Sequence, residues 1–446
     1  MFDRLMAHVR LLLRRINGDT GRMLPSPLKV AAQASRPPVP RAPTPPVRTA
    51  APELSPERRI ERTRALAVRL FGANQPVDNP RDLFGREAEL RTLREAVLES
   101  GMHAVIHGPR GSGKTSLVRV FGDMADARGA TIIYLSCAGT GDFGQVVLPY
   151  LHELGPAPFG LRGDEYSKAI DLLSAAPTPR AVAALLARAD RDDVVFILDE
   201  FDRLDDTETK AQLALLLKLL SDMRSRVRLL FVGISGDVSE LIDVHASVRR
   251  HLTAVGLKPI ADAEVKNFIR LTSNAIGLTI APNALEALRW AACGSPYHMR
   301  LFSLQACLVA IDRGQQEVDD AAMTEGLRRA QAIWRTTNPR DDELFSQLLA
   351  ARRYPIALLE SFARACATHL EFTVADLTDA LIRDGHDPAL VPDLIDSFSP
   401  ALGRMQQGSQ RLAFDDVLAP QLLLSMCVTT RTGAAPVPAA DEGTMQ

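Results

Sequence analysis

Short apolar runs alternate with amphipathic helical segments through the middle of the chain. Five such runs show little polar–apolar alternation, which is typical of strands buried on both faces of a sheet. They are Ala104–His107, Thr131–Ser136, Val194–Leu198, Leu229–Ile234 and Thr253–Val255. Helical patterns lie between them, for example over 114–128 and 210–223. This β-α-β order predicts an α/β fold built on a doubly wound parallel sheet.

The pattern changes on both sides of these runs. A helical stretch over 57–71 comes first, residues 262–334 are purely helical in pattern, and residues 338–431 predict three helices, a hairpin and a final helix. We therefore divide this part of the chain into a sheet domain, two further domains and a frayed tail. Their bounds are 57–260, 261–334, 335–431 and 432–446.

The amino-terminal region differs in composition. Apolar residues at helical spacing over 1–16, interleaved with arginines, predict a basic amphipathic helix within 1–23. It acts either as an anchor for a membrane surface or a partner, or as a cap on its own core. Ten prolines between 24 and 56 favour an extended, disordered linker. The first 60 residues carry eleven Arg and Lys against four acids, a net +7, so attraction for anionic partners lies there.

Overall composition places the chain among soluble proteins with more than one core. It has 446 residues, of which 46% are hydrophobic and 24% charged, with a net charge of −2. No apolar run approaches the roughly 18 residues of a spanning helix, so we expect a cytoplasmic protein. Five cysteines are widely spaced without a CxxC pair, which predicts free thiols rather than disulfides or a zinc site.

A glycine-rich run between the first strand and the first helix fits the spacing GxxxxGK[ST]. Its residues are Gly108, Pro109, Arg110, Gly111, Ser112, Gly113, Lys114 and Thr115. Such a loop lets backbone N–H groups and the positive end of the following helix hold phosphate oxygens. We expect Lys114 to reach the β- and γ-phosphates and Thr115 to hold Mg²⁺, with Ser116 next in the binding segment.

A pair of carboxylates follows the third apolar run. Asp199 and Glu200 come directly after the strand that ends at Leu198. At that position Asp199 can serve the magnesium ion, and Glu200 can orient and polarise the attacking water. The sequence thus contains the parts needed to bind and hydrolyse a nucleoside triphosphate.

Three segments together resemble AAA+ ATPases of the origin-recognition type and the related STAND signalling ATPases. They are Leu83–Leu90, Gly108–Thr115 and Leu198–Leu204, and the resemblance extends over 80–430. It implies an ATPase with ATP and Mg²⁺ as cofactors. It also implies that Phe84, Gly85 and Arg86 form one wall of the base pocket, that 261–334 is a helical lid and that 335–431 is a winged-helix domain.

Departures from the family pattern leave some assignments open. The fourth strand ends in Gly-Ile-Ser-Gly rather than the common Gly-Ile-Ser/Thr-Asn, so sensor duty falls to Ser235 or Asp237. Either Arg249 or Arg250 resembles the arginine finger that reaches a neighbouring subunit's γ-phosphate, unless both are solvated; we favour Arg250.

The lid carries a further departure. Tyr297 stands where origin-type members have an arginine, and the preceding Gly-Ser-Pro looks more like the STAND branch, in which Pro296 lies close to the nucleotide. Arg300 or His298 then reads the phosphates.

The predicted winged helix is a poor DNA reader. Residues 335–431 contain nine arginines against thirteen acids, and the expected recognition segment over 387–398 has no cation. Only Arg404 and Arg411 flank the expected wing. We interpret the domain as a protein-contact or autoinhibitory module, and the chain as an ATP-driven switch that moves it. One alternative is a DNA-associated loader or targeting ATPase that uses the basic amino-terminal arm and the wing arginines. Another is an ATPase tethered to a membrane surface through residues 1–16, and assembly of several copies stays open.

Overall fold

The protein is described here from a computed structural model. It describes residues 56–72, 83–109, 111–137, 141–190, 192–233, 246–369, 371–404 and 411–432. Predictions for the amphipathic helix, the proline-rich linker, Arg110, Ser235, the wing turn and the tail beyond residue 432 lie outside these residues.

Five parallel strands form the central sheet in the order β2-β3-β4-β1-β5. Their bounds are β1 His103–His107, β2 Thr131–Ser136, β3 Val194–Asp199, β4 Val227–Gly233 and β5 Leu252–Gly256. All five predicted strands are present, and their ends differ from the prediction by at most two residues. The predicted doubly wound parallel sheet is therefore confirmed. Since β1 and β3 run in the same direction, the loop after β1 and the carboxylates after β3 lie at the same edge of the sheet.

Helices cover both faces of this sheet. They are α2 Glu87–Arg94, α3 Lys114–Asp126, α4 Phe143–Leu154, α5 Gly163–Ala175, α6 Pro179–Leu186 and α7 Thr207–Asp222. Successive side chains of a strand point to opposite faces. In β3, Phe196 and Leu198 join one buried cluster, whereas Val195 and Ile197 join the other. This explains why the strand is a continuous apolar run.

Four helices follow the sheet in residues 261–334, which we call the lid after the resemblance. They are α8 Asp262–Ala275, α9 Pro282–Ala292, α10 Pro296–Asp312 and α11 Asp320–Arg335. The expectation of a purely helical segment was wrong in one detail, because two short strands, β6 Thr279–Ile280 and β7 Glu317–Val318, pair in parallel within it. The first helix of the described chain, α1 Pro56–Phe71, buries Ala67 and Phe71 in the same core as these helices.

The last part of the chain contains the predicted hairpin and final helix. Its elements are α12 Pro339–Ala351, α13 Ile356–His369, α14 Val374–Arg383, α15 Val391–Phe398, β8 Leu402–Arg404, β9 Leu412–Phe414 and α16 Ala419–Thr432. Four helices rather than three precede the hairpin. We call residues 335–432 the C-terminal module. Its core is continuous with that of the lid, and Trp334 of α11 stacks on Phe345 at 5.8 Å between ring centroids.

The predicted free cysteines are confirmed. All five are free thiols, and four of them are buried. Within the described residues, no helix has both the length and the apolar content needed to cross a membrane.

Candidate functional site

The loop between β1 and α3 has the backbone that its glycines allow. Gly108, Gly111 and Gly113 adopt φ values of 155°, 76° and 92°. Side-chain-bearing residues rarely adopt this region, which explains the three glycines. Helix α3 begins at Lys114, directly after Gly113, so its positive end lies at the loop. This is the local geometry that phosphate binding requires.

The Lys114 side chain lies within the loop that precedes it. Its Nζ donates to the carbonyl oxygens of Gly108 at 2.7 Å and Pro109 at 2.9 Å. An ammonium held in this position supplies a positive charge at the place where the motif expects phosphates.

Arg86 connects the segment before α2 with the same loop. The residue is 3% exposed, and its guanidinium donates to the carbonyl oxygens of Ser112 at 3.0 Å and Lys258 at 2.7 Å. It also pairs with Glu89 at 3.0 Å. Burial lowers the pKa of Arg86, and the Glu89 carboxylate partly offsets this. The sequence placed Arg86 near a base pocket through resemblance alone, whereas the structure shows that it also holds the loop backbone.

Asp199 and Thr115 come together at the carboxyl edge of the sheet. The Thr115 hydroxyl donates to Asp199 Oδ2 at 3.3 Å, and the Glu200 backbone N–H donates to Oδ1 at 2.8 Å. A hydroxyl and a carboxylate in contact are the oxygen donors that Mg²⁺ prefers, so these two residues fit the predicted metal site.

Tyr134 is a member of this cluster that the sequence analysis missed. Its hydroxyl donates to Asp199 Oδ2, and burial together with the Asp199 carboxylate raises the pKa of Tyr134. The guanidinium of Arg119 lies 5.7 Å from the centre of the Tyr134 ring. The phenol therefore stays protonated and positions the carboxylate.

Glu200 follows in an uncommon backbone conformation. Its φ and ψ are 54° and 39°, in the left-handed region. The carboxylate accepts from the Ser136 hydroxyl and pairs with Arg203 at 2.9 Å. Ser136 reaches it because β2 and β3 align Ser136 with Asp199. The charge of Glu200 thus lies one residue from the proposed metal ligand.

Of the other predicted residues, Pro296 lies beside the loop, whereas Phe84 and Gly85 pack on Phe268 and Ile260. Pro296 reaches the loop, because a Cβ added at Gly113 would lie 3.9 Å from its Cγ. Phe84 instead packs edge-to-face on Phe268 of α8, with ring centroids 5.0 Å apart. Gly85 has a φ of 67° and lies against Ile260, where an added Cβ would come within 2.9 Å.

The lid and arginine-finger candidates lie elsewhere. Arg300 donates to the carbonyls of Leu70 at 3.5 Å and Phe71 at 3.4 Å, at the end of α1, so the structure does not bring it to the phosphates. His298 is fully buried, with its ring nitrogen 2.9 Å from the Ser295 hydroxyl. Arg250 is exposed on a short 3₁₀ helix over 246–250.

The C-terminal module contacts the loop directly. A Cβ added at Gly111 would lie 3.2 Å from Leu418 Cδ2 and 3.7 Å from the Cβ of Tyr297. Leu418 is in the segment between β9 and α16, and Tyr297 is in the first turn of α10. A small cavity of about 20 Å³, enough for about one water molecule, lies beside this contact and is lined by the loop, the lid and the module. The sequence contains no local signal for this contact.

A comparison with protein families agrees with this geometry. Residues 82–232 match the sequence model of a family described as an AAA ATPase domain. This segment of the chain is therefore similar to AAA ATPase domains, in agreement with the resemblance. A comparison with curated proteins finds no match.

This chain is also similar to several solved structures. The Walker-type ATPase of Pyrococcus abyssi is 16% identical, with a TM-score of 0.47 over 79% of this chain and 99% of that chain. The Aeropyrum pernix Orc1 protein in complex with DNA is 16% identical, with a TM-score of 0.42 over 81% and 97%. The Thermotoga maritima RuvB branch migration motor is 14% identical, with a TM-score of 0.39 over 76% and 95%.

Proposed function

We propose that this protein is an ATP-hydrolysing switch of the AAA+/STAND type, in which the nucleotide held by the loop 108–115 controls the position of the C-terminal module. The observation that carries the proposal is the contact between Leu418 of the module and Gly111 of the loop. The contact lies on the loop itself. A nucleotide that changes the conformation of the loop therefore changes the surface against which the module packs.

Each site residue has a separate role in the proposed hydrolysis of ATP. Lys114 binds the β- and γ-phosphates, and the oxygens of Thr115 and Asp199 hold Mg²⁺, which would neutralise charge on the phosphates. Glu200 orients the attacking water, and its partners Ser136 and Arg203 set the position of its carboxylate before substrate arrives. Phosphoryl transfer is catalysed mainly by such positioning and charge stabilisation.

The C-terminal module has the character of a protein-contact element. We interpret its helices and hairpin as a winged-helix fold. Its net charge of −4 disfavours the phosphate backbone of DNA as a partner. The exposed Arg250 serves as an arginine finger if copies of the chain assemble.

Nucleotide binding is tested by thermal unfolding with ATP and Mg²⁺. A bound ligand raises the melting temperature by mass action, and Lys114→Ala should remove this rise. Lys168→Ala, at an exposed position on α5, is the matched control and should keep it. A rise that persists in Lys114→Ala would place the nucleotide elsewhere.

Hydrolysis and switching need separate measurements. Glu200→Gln should keep ATP binding and lose turnover by about 100-fold or more. For the switch, hydrogen exchange of the amides over 415–421 should differ between the ADP complex and the complex with a nonhydrolysable ATP analogue. Equal exchange in the two complexes would contradict the coupling.

A further inference from the structure

Asp199 is a buried carboxylate that receives its hydrogen bonds from neutral groups. The residue is 5% exposed, and among the described residues no lysine, arginine or histidine pairs with it. Its Oδ1 accepts from the Glu200 backbone N–H, and its Oδ2 accepts from the hydroxyls of Thr115 and Tyr134. Buried charges in proteins are generally paired or coordinate a metal ion. The negative charge of Asp199 is therefore left for a metal cation.

The same three hydrogen bonds fix how the carboxylate is turned. An ionised carboxylate has about four acceptor sites on its two oxygens, and three of them are used here. One site is left for a metal ion or for a water bound to it. The Thr115 hydroxyl is 3.3 Å from Oδ2, longer than the roughly 2.5–3.0 Å of an ordinary O–H···O bond. Tyr134 is therefore the main restraint on this oxygen.

The Tyr134 side chain is itself held by the sheet and by helix α3. Strand β2 pairs with β3 so that Tyr134 lies beside Ile197, two residues before Asp199 and on the same face of the sheet. The Tyr134 ring packs against the buried cluster that contains the apolar side of α3. The Arg119 guanidinium of α3 lies 5.7 Å from the centre of the ring. The hydroxyl thus approaches Asp199 from a fixed direction.

We propose that Tyr134 is a positioning residue for the magnesium site: its hydroxyl holds Asp199 Oδ2 next to Thr115 and so raises the affinity of the site for magnesium-bound nucleotide. The hydroxyl is a neutral donor, so it orients the carboxylate without cancelling the charge that attracts the metal. Its effect therefore depends on magnesium, whereas the contacts of Lys114 and the loop with the phosphates do not. This inference rests on the proposed function, since it takes Thr115 and Asp199 as the residues that hold Mg²⁺.

The test compares Tyr134→Phe with the unchanged protein by titration calorimetry with a nonhydrolysable ATP analogue. Phenylalanine keeps the ring and removes only the hydroxyl, so the fold should persist. With excess magnesium, the variant should bind the analogue about three- to tenfold more weakly, the effect of one lost hydrogen bond. With EDTA in place of magnesium, the two proteins should bind the analogue equally.

Tyr166→Phe is the matched control. The Tyr166 hydroxyl donates to the Leu151 carbonyl at 2.6 Å, so this change also removes one hydrogen bond from a buried tyrosine. The control variant should bind the analogue as the unchanged protein does in both solutions. Equal weakening of Tyr134→Phe with magnesium and with EDTA would overturn the inference, and so would binding that is not weakened at all.

Lys114→Ala separates this inference from the proposed function, because it should abolish binding of the analogue in both solutions. If it does so while Tyr134→Phe binds like the unchanged protein with magnesium, the inference is overturned and the proposed function stands. If magnesium does not strengthen binding to the unchanged protein, the inference and the metal role of Asp199 fail, but nucleotide binding by the loop stands. Failure of the unchanged protein to bind the analogue with magnesium would overturn both proposals.

Discussion

The indole Nε1 of Trp334 donates to the carboxylate of Asp416 at 2.7 Å. The other carboxylate oxygen of Asp416 accepts from the backbone N–H of Leu418 at 3.0 Å. One side chain thus joins the last lid helix to the segment that carries Leu418. We expect the contact between Leu418 and the loop to depend on this pair of hydrogen bonds.

Asp416→Ala should loosen that segment. The change removes both hydrogen bonds and leaves the Trp334 N–H without its partner, at a cost of about 1–3 kcal/mol in stability. Asp415→Ala removes the same charge from the neighbouring exposed position and is the control. Thermal unfolding measures the cost, and hydrogen exchange at the Leu418 amide should rise only in Asp416→Ala. Unchanged exchange there would show that the segment is held by other contacts.

Gly111→Ala should disrupt the loop more than its backbone strain alone predicts. Gly111 and Gly129 have φ values of 76° and 88°, but an added Cβ meets Leu418 at 3.2 Å in the first case and nothing within 4 Å in the second. Both changes should cost about 1 kcal/mol for the left-handed backbone. Only Gly111→Ala should also displace Leu418 and weaken ADP binding. Calorimetry with both variants makes the comparison, and equal ADP affinities would contradict it.

The left-handed backbone of Glu200 predicts a stability difference between two variants at this position. Glycine adopts a φ of 54° without strain, whereas glutamine keeps the strain of the native residue. Glu200→Gly should therefore unfold at a higher temperature than Glu200→Gln, by the equivalent of about 1 kcal/mol. Both lack the carboxylate charge, so loss of the ion pair with Arg203 cancels in the comparison. A lower melting temperature for the glycine variant would show that the residue is not strained.

Two buried histidines should make the fold sensitive to acid. Burial lowers the pKa of His298 from 6.5 to about 3, and that of His103 likewise to about 3. In the unfolded chain both histidines have a pKa near 6.5. Below that pH the unfolded state therefore binds more protons than the folded state. Stability should fall as pH decreases from 6.5 toward 3, by about 1.4 kcal/mol per pH unit for each histidine.

His298→Gln isolates one of these contributions. The variant should show a shallower fall of melting temperature between pH 6.5 and pH 4, because the contribution of His298 is removed while that of His103 remains. His152→Gln, at an exposed position of α4, should keep the full pH dependence. The same slope in both variants would mean that His298 is protonated in the folded protein.

The sequence predicted the parts of the site that are contiguous in the chain. The loop Gly108–Thr115 has its own spacing, and Asp199 ends a strand that is visibly apolar. Their meeting follows from a general property of parallel sheets, whose strands present their carboxyl ends at one edge.

The rest depends on neighbours that are remote in sequence. Tyr134 reaches Asp199 because β2 lies beside β3 in a register that aligns Tyr134 with Ile197, and no local pattern encodes that pairing. Arg300 was predicted near phosphates from its distance to Pro296, but the packing of α1 against α10 supplies it with carbonyl partners instead. Leu418 looks like an ordinary apolar residue before a helix.

The boundary between two buried clusters falls at residues 258 and 259. Leu257 belongs to a core of the sheet, whereas Ile260 belongs to the continuous core of α1, the lid and the C-terminal module. Only Lys258 and Pro259 separate them, and the Lys258 carbonyl accepts from Arg86, which also grips the loop at Ser112. If the lid and the module move together in the proposed switch, we expect the backbone to bend at Lys258 and Pro259, and the Arg86 guanidinium joins this segment to the loop 108–115.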